Sequence, residues 1–475
     1  MALTIGGHLV AQALGREGVR CVFTLCGGHV APIYDGCLRE SIDIIDTRHE
    51  QAAAHAADAW ARLTRGPGIA IVTAGPGVTD AVTGVANARL ANSPLVLLGG
   101  AAELRLAGKG ALQEMEQLPL LRSVTKWAQT VTDPRRIPEM VQTAIRHATS
   151  GVMGPVFLEL PFDVLTAQVE NAPAPPPLAP NPRQPGDREL IERAAELVAH
   201  AERPVLFVGS QVWWDDASEA LRSFINTLAV PTVMNGMGRG ALPGSHPLAF
   251  ALARKEAFRA TDCIVVIGTP LDFRVGYGAS INADAKLVHI DRDPTLIGKN
   301  RPADVGLVGD ARSILQQLEA ACLRLNARRE SHAAFCQKLR VAEDQKRAEL
   351  AAYEQSDARP TNHYRLARAI ADAVDENTIL IGDGGDCVAL AAKVLAPERP
   401  GHWLDPGPLG CLGVGAPFAI AAKKLYPDKK VLVLSGDGSF GLNGFDFETC
   451  VRFGLPVTVV VGNDAAWGQI RGPQI

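Results

Sequence analysis

The sequence lacks the marks of several large classes of protein. No block of Lys and Arg stands out, and 47 basic residues face 51 acidic ones, for a net charge of −4. Neither nucleic acid nor an anionic membrane surface is an expected partner, because both call for a concentrated positive field. The chain has no run of about 18 uncharged apolar residues, the length a membrane-spanning helix needs. The first residues, 1–15, lack a basic stretch followed by a long apolar one, so no secretory signal is expected. None of the nine cysteines forms a C-x-x-C pair, which argues against zinc ribbons and dithiol redox centres. Scattered thiols of this kind fit a reducing compartment, and a cytoplasmic protein is expected.

What is present is ordinary globular material. The chain has 475 residues, 47% hydrophobic and 21% charged. That length is a prior of about three domains. Two features divide it. Residues 171–186, NAPAPPPLAPNPRQPG, carry seven prolines and read as a stiff linker. A charged helical stretch, about 327–353, reads as a second connection. The expected boundaries are therefore a domain at 1–170, the linker at 171–186, a domain at 187–325, a connecting helix at 326–359 and a domain at 360–475.

The three domains share one pattern. Short β-rich runs at 42–46, 69–73, 94–98 and 156–160 alternate with Ala-rich helical stretches such as 51–62 and 80–90. The pattern returns at 205–208, 232–234, 263–267 and 286–290, then at 378–381, 431–434 and 457–461. Strand–helix alternation predicts an α/β fold, with parallel sheets covered by helices. Ligands then sit at the carboxyl ends of the strands. Only 14 residues follow the last of these runs. A sheet ending so soon after its last crossover is expected to continue beyond residue 475.

The third domain carries the clearest chemical signal. The run Val431-Leu-Val-Leu-Ser ends in Gly436-Asp437-Gly438-Ser439. Glycines let backbone N–H groups approach phosphate oxygens closely, and a following helix adds a favourable dipole. Asp437 stands at the strand end, where a hard cation fits. Asp464, in Gly462-Asn463-Asp464-Ala465-Ala466-Trp467, supplies a second side-chain oxygen 27 positions later, at the end of the next strand. Two side-chain oxygens, a backbone carbonyl and diphosphate oxygens complete an octahedral Mg²⁺ shell. G-D-G alone is a common turn; the strand–GDG–helix–strand–Asn-Asp arrangement is far more specific.

That arrangement resembles the GDG…NN motif of thiamine-diphosphate enzymes, specifically the acetolactate synthase superfamily. The resemblance implies three α/β domains: pyrimidine-binding, central Rossmann-like and diphosphate-binding. It also implies thiamine diphosphate and Mg²⁺ as cofactors, with Asp437, Asp464 and the carbonyl of Ala466 as metal ligands. Gly436, Gly438 and Ser439 belong to the same cradle. The family usually has Asn where this chain has Asp464; the acid adds a charge that favours the cation and repels the diphosphate.

In the first domain, Arg48-His-Glu50-Gln-Ala-Ala-Ala-His-Ala-Ala-Asp-Ala-Trp-Ala-Arg62 is similar to the family's glutamate motif. By position alone Glu50 also fits a first-turn helix acid paired with the dipole. By the resemblance it is the carboxylate that shares a proton with the aminopyrimidine ring. Thr73-Ala-Gly75-Pro-Gly77 resembles the family's T-x-G-P-G loop. Leu25-Cys-Gly-Gly-His29 resembles its substrate-pocket loop, which makes His29 a candidate proton donor as well as a turn histidine bonding backbone. Ala111-Leu-Gln113-Glu resembles A-F-Q-E, and Gln113 would bond the reacting carboxylate or carbonyl. Lys126 matches a lysine near the pocket mouth, although an ordinary surface lysine is the commoner reading of the sequence. Gly385, Asp386 and Cys387 stand where the family touches the diphosphate, and Asp386 also suits a helix cap. Leu412 stands where a bulky apolar residue wedges the two cofactor rings.

Within the superfamily, residues 25–39, 403–407 and 461–467 look like the group of 2-hydroxyacyl-CoA lyases. The implied reaction cleaves a 2-hydroxyacyl-CoA into an aldehyde and formyl-CoA. Acetolactate synthase, joining two molecules of the 2-oxo acid pyruvate, is the first alternative. Oxalyl-CoA decarboxylase and an FAD-dependent pyruvate oxidase follow it. In the central domain His289-Ile-Asp291 is a strand-end acid suited to a ribose. It suits ADP or CoA there, with an empty site as the other alternative, and Pro270, where acetolactate synthases have arginine, weakens the case for FAD. In the family Glu50 and the metal site meet across a subunit interface, so a homodimer or homotetramer is expected.

Overall fold

The computed structural model describes residues 3–170, 175–327 and 329–474. Residues 171–174 of the Pro-rich segment, residue 328 of the charged segment, and residues 1, 2 and 475 lie outside the described residues. The chain divides into two compact units. One gathers Met1–Asn181 with Ile381–Gly385 and Asp405–Ile475; the other holds Pro182–Leu380 with Asp386–Leu404.

The first unit is built on a parallel sheet of six strands: β1 (Cys21–Thr24), β2 (Asp43–Asp46), β3 (Gly68–Val72), β4 (Leu95–Ala101), β5 (Trp127–Thr130) and β6 (Val156–Pro161). β3 and β4 are buried on both faces, which is why they read as unbroken apolar runs rather than alternating ones. Helix α1 (Glu50–Thr64) packs on α2 (Pro76–Leu90). Ala52, Ala53, Ala54, Ala56, Ala57, Ala59 and Ala61 are all fully buried along α1, and these small side chains let its backbone lie close to its neighbours. Its start is fixed by the His49 ring, whose Nδ1 accepts from Gln51 N at 3.1 Å.

The second unit carries a parallel five-stranded sheet: β7 (Pro204–Val208), β8 (Thr232–Met234), β9 (Cys263–Ile267), β10 (Lys286–Asp291) and β11 (Val305–Val308). The third sheet contains β12 (Thr378–Asp383), β13 (Trp403–Leu404), β14 (Lys430–Gly436) and β15 (Thr458–Gly462). In the first unit, α3 (Gly415–Leu425) packs both on β14 and on α1.

One topology recurs. The strand orders are β2-β1-β3-β4-β6-β5, β8-β7-β9-β10-β11 and β13-β12-β14-β15. In each, the order reverses beside the first strand, opening a crevice at the carboxyl ends of that strand and the third. The three crevices fall at Leu25–His29 with Thr73–Gly77, at Gly209–Ser210 with Gly268–Pro270, and at Gly384–Gly385 with Asp437–Ser439.

The α/β fold class is as the alternation predicts. The sequence pattern after the Gly436–Ser439 turn predicts helix around residues 444–453; instead α4 (Asp437–Asn443) begins at Asp437 itself, and a second helix, Phe447–Arg452, follows. The charged helix starts at Ala333, because the preceding helix ends at Arg324 in a turn. No helix of the described residues is long and apolar enough to cross a membrane. All nine cysteines are free, and burial pushes the Cys21, Cys37, Cys263 and Cys322 thiols up to about 12, so these are packing groups rather than nucleophiles.

Candidate active site

At the first crevice a hydroxyl, an imidazole and an amide converge. His29 sits in a short 3₁₀ turn after β1, with its Nδ1 3.3 Å from Thr73 Oγ1, just past β3. Its ring meets Phe162 edge-on at 6.2 Å. Gln113 takes a left-handed conformation (φ 61°) and accepts from Thr73 Oγ1 at 3.5 Å. The close approach depends on glycine: a Cβ at Gly27 would lie 2.3 Å from Thr73 Cβ, and one at Gly75 would lie 2.8 Å from the Gln113 carbonyl. The structure therefore brings His29, Gln113 and Gly75 together.

Sequence reasoning missed the residue that holds this turn. Gln117 is buried, accepts from Gly75 N at 2.8 Å, and donates to the Gly100 carbonyl at 3.0 Å and to Glu159 at 2.8 Å. Its only signal was a spacing of one helical turn after Gln113.

Glu50 is the first residue of α1 and is buried. Burial raises its carboxyl above the ordinary range; the charge of Asp80 adds to this and His49 opposes it. His49, Glu50 and Asp80 place one ligand-type atom each within 4.8 Å of one another. The nearest wall is glycine again, since a Cβ at Gly77 would lie 3.3 Å from Glu50 Oε1 and 2.8 Å from Thr73 Cγ2. Gly77→Ala should therefore crowd Thr73 and bury Glu50 further. We expect turnover to fall about tenfold or more, and the pH limb set by Glu50 to move to higher pH. A pH profile of kcat checks both; an unmoved limb contradicts the placement of Gly77 against the carboxylate.

At the third sheet's crevice the turns meet backbone to backbone. Gly384 (φ 137°) faces Gly436, whose N would lie 2.9 Å from a Cβ on Gly384, and Ser439 Oγ lies beyond at 3.1 Å. Asp437 opens α4, and its Oδ1 accepts from Gly438 N at 2.7 Å. Asp464 is exposed after β15; it accepts from Ala466 N at 3.0 Å, and its Oδ2 lies over Gly468. The indole of Trp467 lies on Gly438, and Gln469 lies on Gly385. Asp386 is exposed at the start of a short helix, and Cys387 beside it is buried.

Asp383 had no role in the sequence reading. It is buried, and its two oxygens accept from Gly413 N at 2.9 Å and Gly415 N at 2.8 Å. It therefore anchors the loop carrying Leu412, which is half-buried. Lys126 is not brought to the site. It precedes β5, at the amino edge of a parallel sheet whose crevice is at the carboxyl edge, and it donates to the Ser150 carbonyl at 2.8 Å. Burial lowers its ammonium to about 8, with Arg89 adding to the effect.

In the second unit Asp291 is buried at the end of β10 and accepts from Asp293 N at 2.8 Å; burial pushes its carboxyl up to about 6. Thr269, past β9, is 2% exposed, and its Oγ1 has no hydrogen-bond partner among the described residues.

A glycine-floored crevice after a strand, a strand-end Asp, and a buried glutamate whose carboxyl is raised by burial fit a diphosphate, a hard cation and a basic ring nitrogen. Comparison with known proteins agrees. Residues 4–120 match the N-terminal TPP binding domain of thiamine pyrophosphate enzymes, 191–318 the central domain, and 383–475 the C-terminal TPP binding domain. The chain belongs to the thiamine pyrophosphate enzyme family. It is 37% identical over 472 residues to a probable acetolactate synthase of Mycobacterium bovis, covering 98% of this chain and 84% of the relative. It is 38% identical over 515 residues to 2-hydroxyacyl-CoA lyase 2 of Bos taurus, covering 99% and 80%, and 37% identical over 517 residues to the Homo sapiens protein of that name, covering 99% and 80%. It is thus a thiamine-diphosphate-dependent carbon–carbon lyase or transferase acting on small molecules.

Proposed function

We propose that the enzyme cleaves 2-hydroxyacyl-CoA to an aldehyde and formyl-CoA, reversibly. The C1–C2 bond breaks, the C2 hydroxyl becomes the aldehyde carbonyl as it loses its proton, and C1 takes up one proton to become the formyl group. No oxidant or reductant is needed. Thiamine diphosphate, when bound, supplies the nucleophilic carbon and the electron sink.

The rest falls to the chain's own groups. Glu50, buried and with its carboxyl raised above the ordinary range, would share a proton with a ring nitrogen of the bound cofactor. His29, steadied by Thr73 and Phe162, exchanges a proton with the substrate hydroxyl. Gln113 orients the thioester carbonyl. Asp437, Asp464 and the Ala466 carbonyl would hold Mg²⁺, and the glycine turns Gly384–Gly385 and Gly436–Gly438 would line the diphosphate, with Ser439 beside them. Trp467 and Gln469 lie on that floor and must yield to a group seated there.

The observation that carries the choice of substrate is the donor set at the first crevice, where a hydroxyl, an amide and an imidazole suit a carbonyl beside an alcohol. The 2-hydroxyacyl-CoA lyase 2 relatives support it. The adenosine part of CoA, or ADP, is proposed for the second unit's crevice, beside Thr269 and Asp291. A homodimer or larger homo-oligomer completes the site, and the exposed Phe445 and Val451, 84% and 82% accessible, support such an interface. A cytoplasmic location accords with the free thiols.

The test is incubation with thiamine diphosphate, Mg²⁺ and 2-hydroxyacyl-CoAs of several chain lengths, with aldehyde and formyl-CoA as readouts. Release of both in equal amounts is expected. Acetolactate from pyruvate, with no aldehyde from any acyl-CoA, would overturn the proposal in favour of the synthase.

A further inference from the structure

We propose that Arg62, locked by Asp58, is the positioning residue for the loop that carries Leu412, and that it sets how well the enzyme holds its cofactor. The proposal rests on the reading of Leu412 as a contact to the cofactor rings.

Arg62 is 1% exposed and the bulkiest fully buried side chain among the described residues. It lies one turn after Asp58 on α1 and grips it bidentately, Nε to Oδ1 at 2.8 Å and Nη2 to Oδ2 at 2.7 Å. Asn87 of α2 donates to the same carboxylate at 3.0 Å, and the guanidinium lies over the Phe418 ring of α3, 5.1 Å from its centroid. A buried ion pair costs so much desolvation that an apolar pair of similar volume would often be as stable. What the pair provides, and an apolar pair cannot, is a rigid fork of donors. Those donors leave α1: Nη1 bonds the Asp405 carbonyl at 2.6 Å, and Nη2 lies 3.3 Å from the Pro406 carbonyl.

The segment from Asp405 to Val414 has neither helix nor strand, and Gly407, Gly410 and Gly413 all adopt positive φ. Such a chain holds a shape only where it is tied. Its far end is tied by Asp383 to Gly413 N and by Asn443, which donates to the Gly413 carbonyl at 2.8 Å. Its near end is tied by Arg62. Leu412 hangs between the two anchors. Arg62 touches no reacting atom, so its action on the cofactor passes through this loop.

The experiment compares wild type, Arg62→Ala, Arg62→Lys and Leu412→Ala. Hydrogen exchange is read on the apoenzyme, and thiamine diphosphate affinity is read by calorimetry at fixed Mg²⁺. Arg62→Ala should raise exchange across 405–412 about tenfold and weaken the cofactor by about tenfold to a hundredfold, since misplacing a supporting group by an ångström costs as much. Millimolar guanidinium, filling the vacated site, should restore part of both. Arg62→Lys keeps the charge without the fork and should fall between; it decides the matter if Arg62→Ala does not fold. A lower melting temperature with wild-type cofactor affinity in the Arg62 variants would make Arg62 merely structural and overturn the proposal. Wild-type affinity in Leu412→Ala, with the Arg62 variants still loosened and weak, would instead sink the Leu412 reading and leave the anchor standing.

Discussion

Replacing Glu50 by Gln should abolish turnover, lowering kcat by about 10²–10⁴-fold, the usual loss for a general acid–base group. The amide keeps the shape and hydrogen-bonding reach of the side chain, so cofactor affinity should change little, which separates chemistry from binding. The buried carboxylate also has a signature in stability. Its carboxyl is raised in the folded protein, so it favours folding fully only below its ordinary range and loses that contribution as pH rises through its folded value. The apo Glu50→Gln protein should accordingly melt at a higher temperature than wild type at neutral pH, and the difference should vanish on acidification. Thermal melts at several pH values check this. An apo variant less stable than wild type at every pH would mean that Glu50 is a structural helix acid.

Asp437→Ala should have the second-largest effect. The outer partners of a bound metal are worth about 10–100-fold in affinity, and a direct ligand is worth more, so a loss of at least ~100-fold in Mg²⁺-dependent cofactor binding is expected. The helix it opens should persist, because among the described residues the Asp437 side chain bonds only the adjacent Gly438 N, and the turn is built from glycine. Excess Mg²⁺ should recover Asp437→Asn, which keeps one oxygen, better than Asp437→Ala. Calorimetry with varied Mg²⁺ measures both. Unchanged Mg²⁺ dependence in the alanine variant would remove Asp437 from the metal shell.

The strands that were legible in the sequence are the ones with a single reading. Residues 69–72 and 94–98 are apolar throughout because both faces of β3 and β4 are covered. β1, β5, β11 and the two-residue β13 were not seen. β1 is only four residues, Cys-Val-Phe-Thr, and β5 is a polar edge strand, Trp-Ala-Gln-Thr. β11 contains Gly306, a residue that argues against a strand until its neighbours are known. The candidate site residues came from short local motifs: Gly75 and Asp437 from glycine turns, Glu50 from the helix-opening run 48–62, and Asp464 from the end of β15. Those that could not be read act at a distance in sequence: Gln117 on Gly75, Asp383 on Gly413 and Arg62 on Asp405. Each was visible as a letter but not as a contact, because the loop it holds belongs to another part of the chain. Lys126 shows the converse. A motif match suggested a role, but its place at the amino edge of β5 puts it on the wrong side of the sheet.

The most direct test is a single preparation stripped of thiamine diphosphate and Mg²⁺, reloaded, and assayed in parallel for aldehyde release from a 2-hydroxyacyl-CoA and for acetolactate from pyruvate. The proposed function predicts no activity when stripped. It predicts that after reloading kcat/KM for the acyl-CoA exceeds that for pyruvate by about a hundredfold or more, the margin a site built for one polar pattern holds over another. Equal or greater activity on pyruvate, or cleavage that persists in the stripped protein, would contradict it.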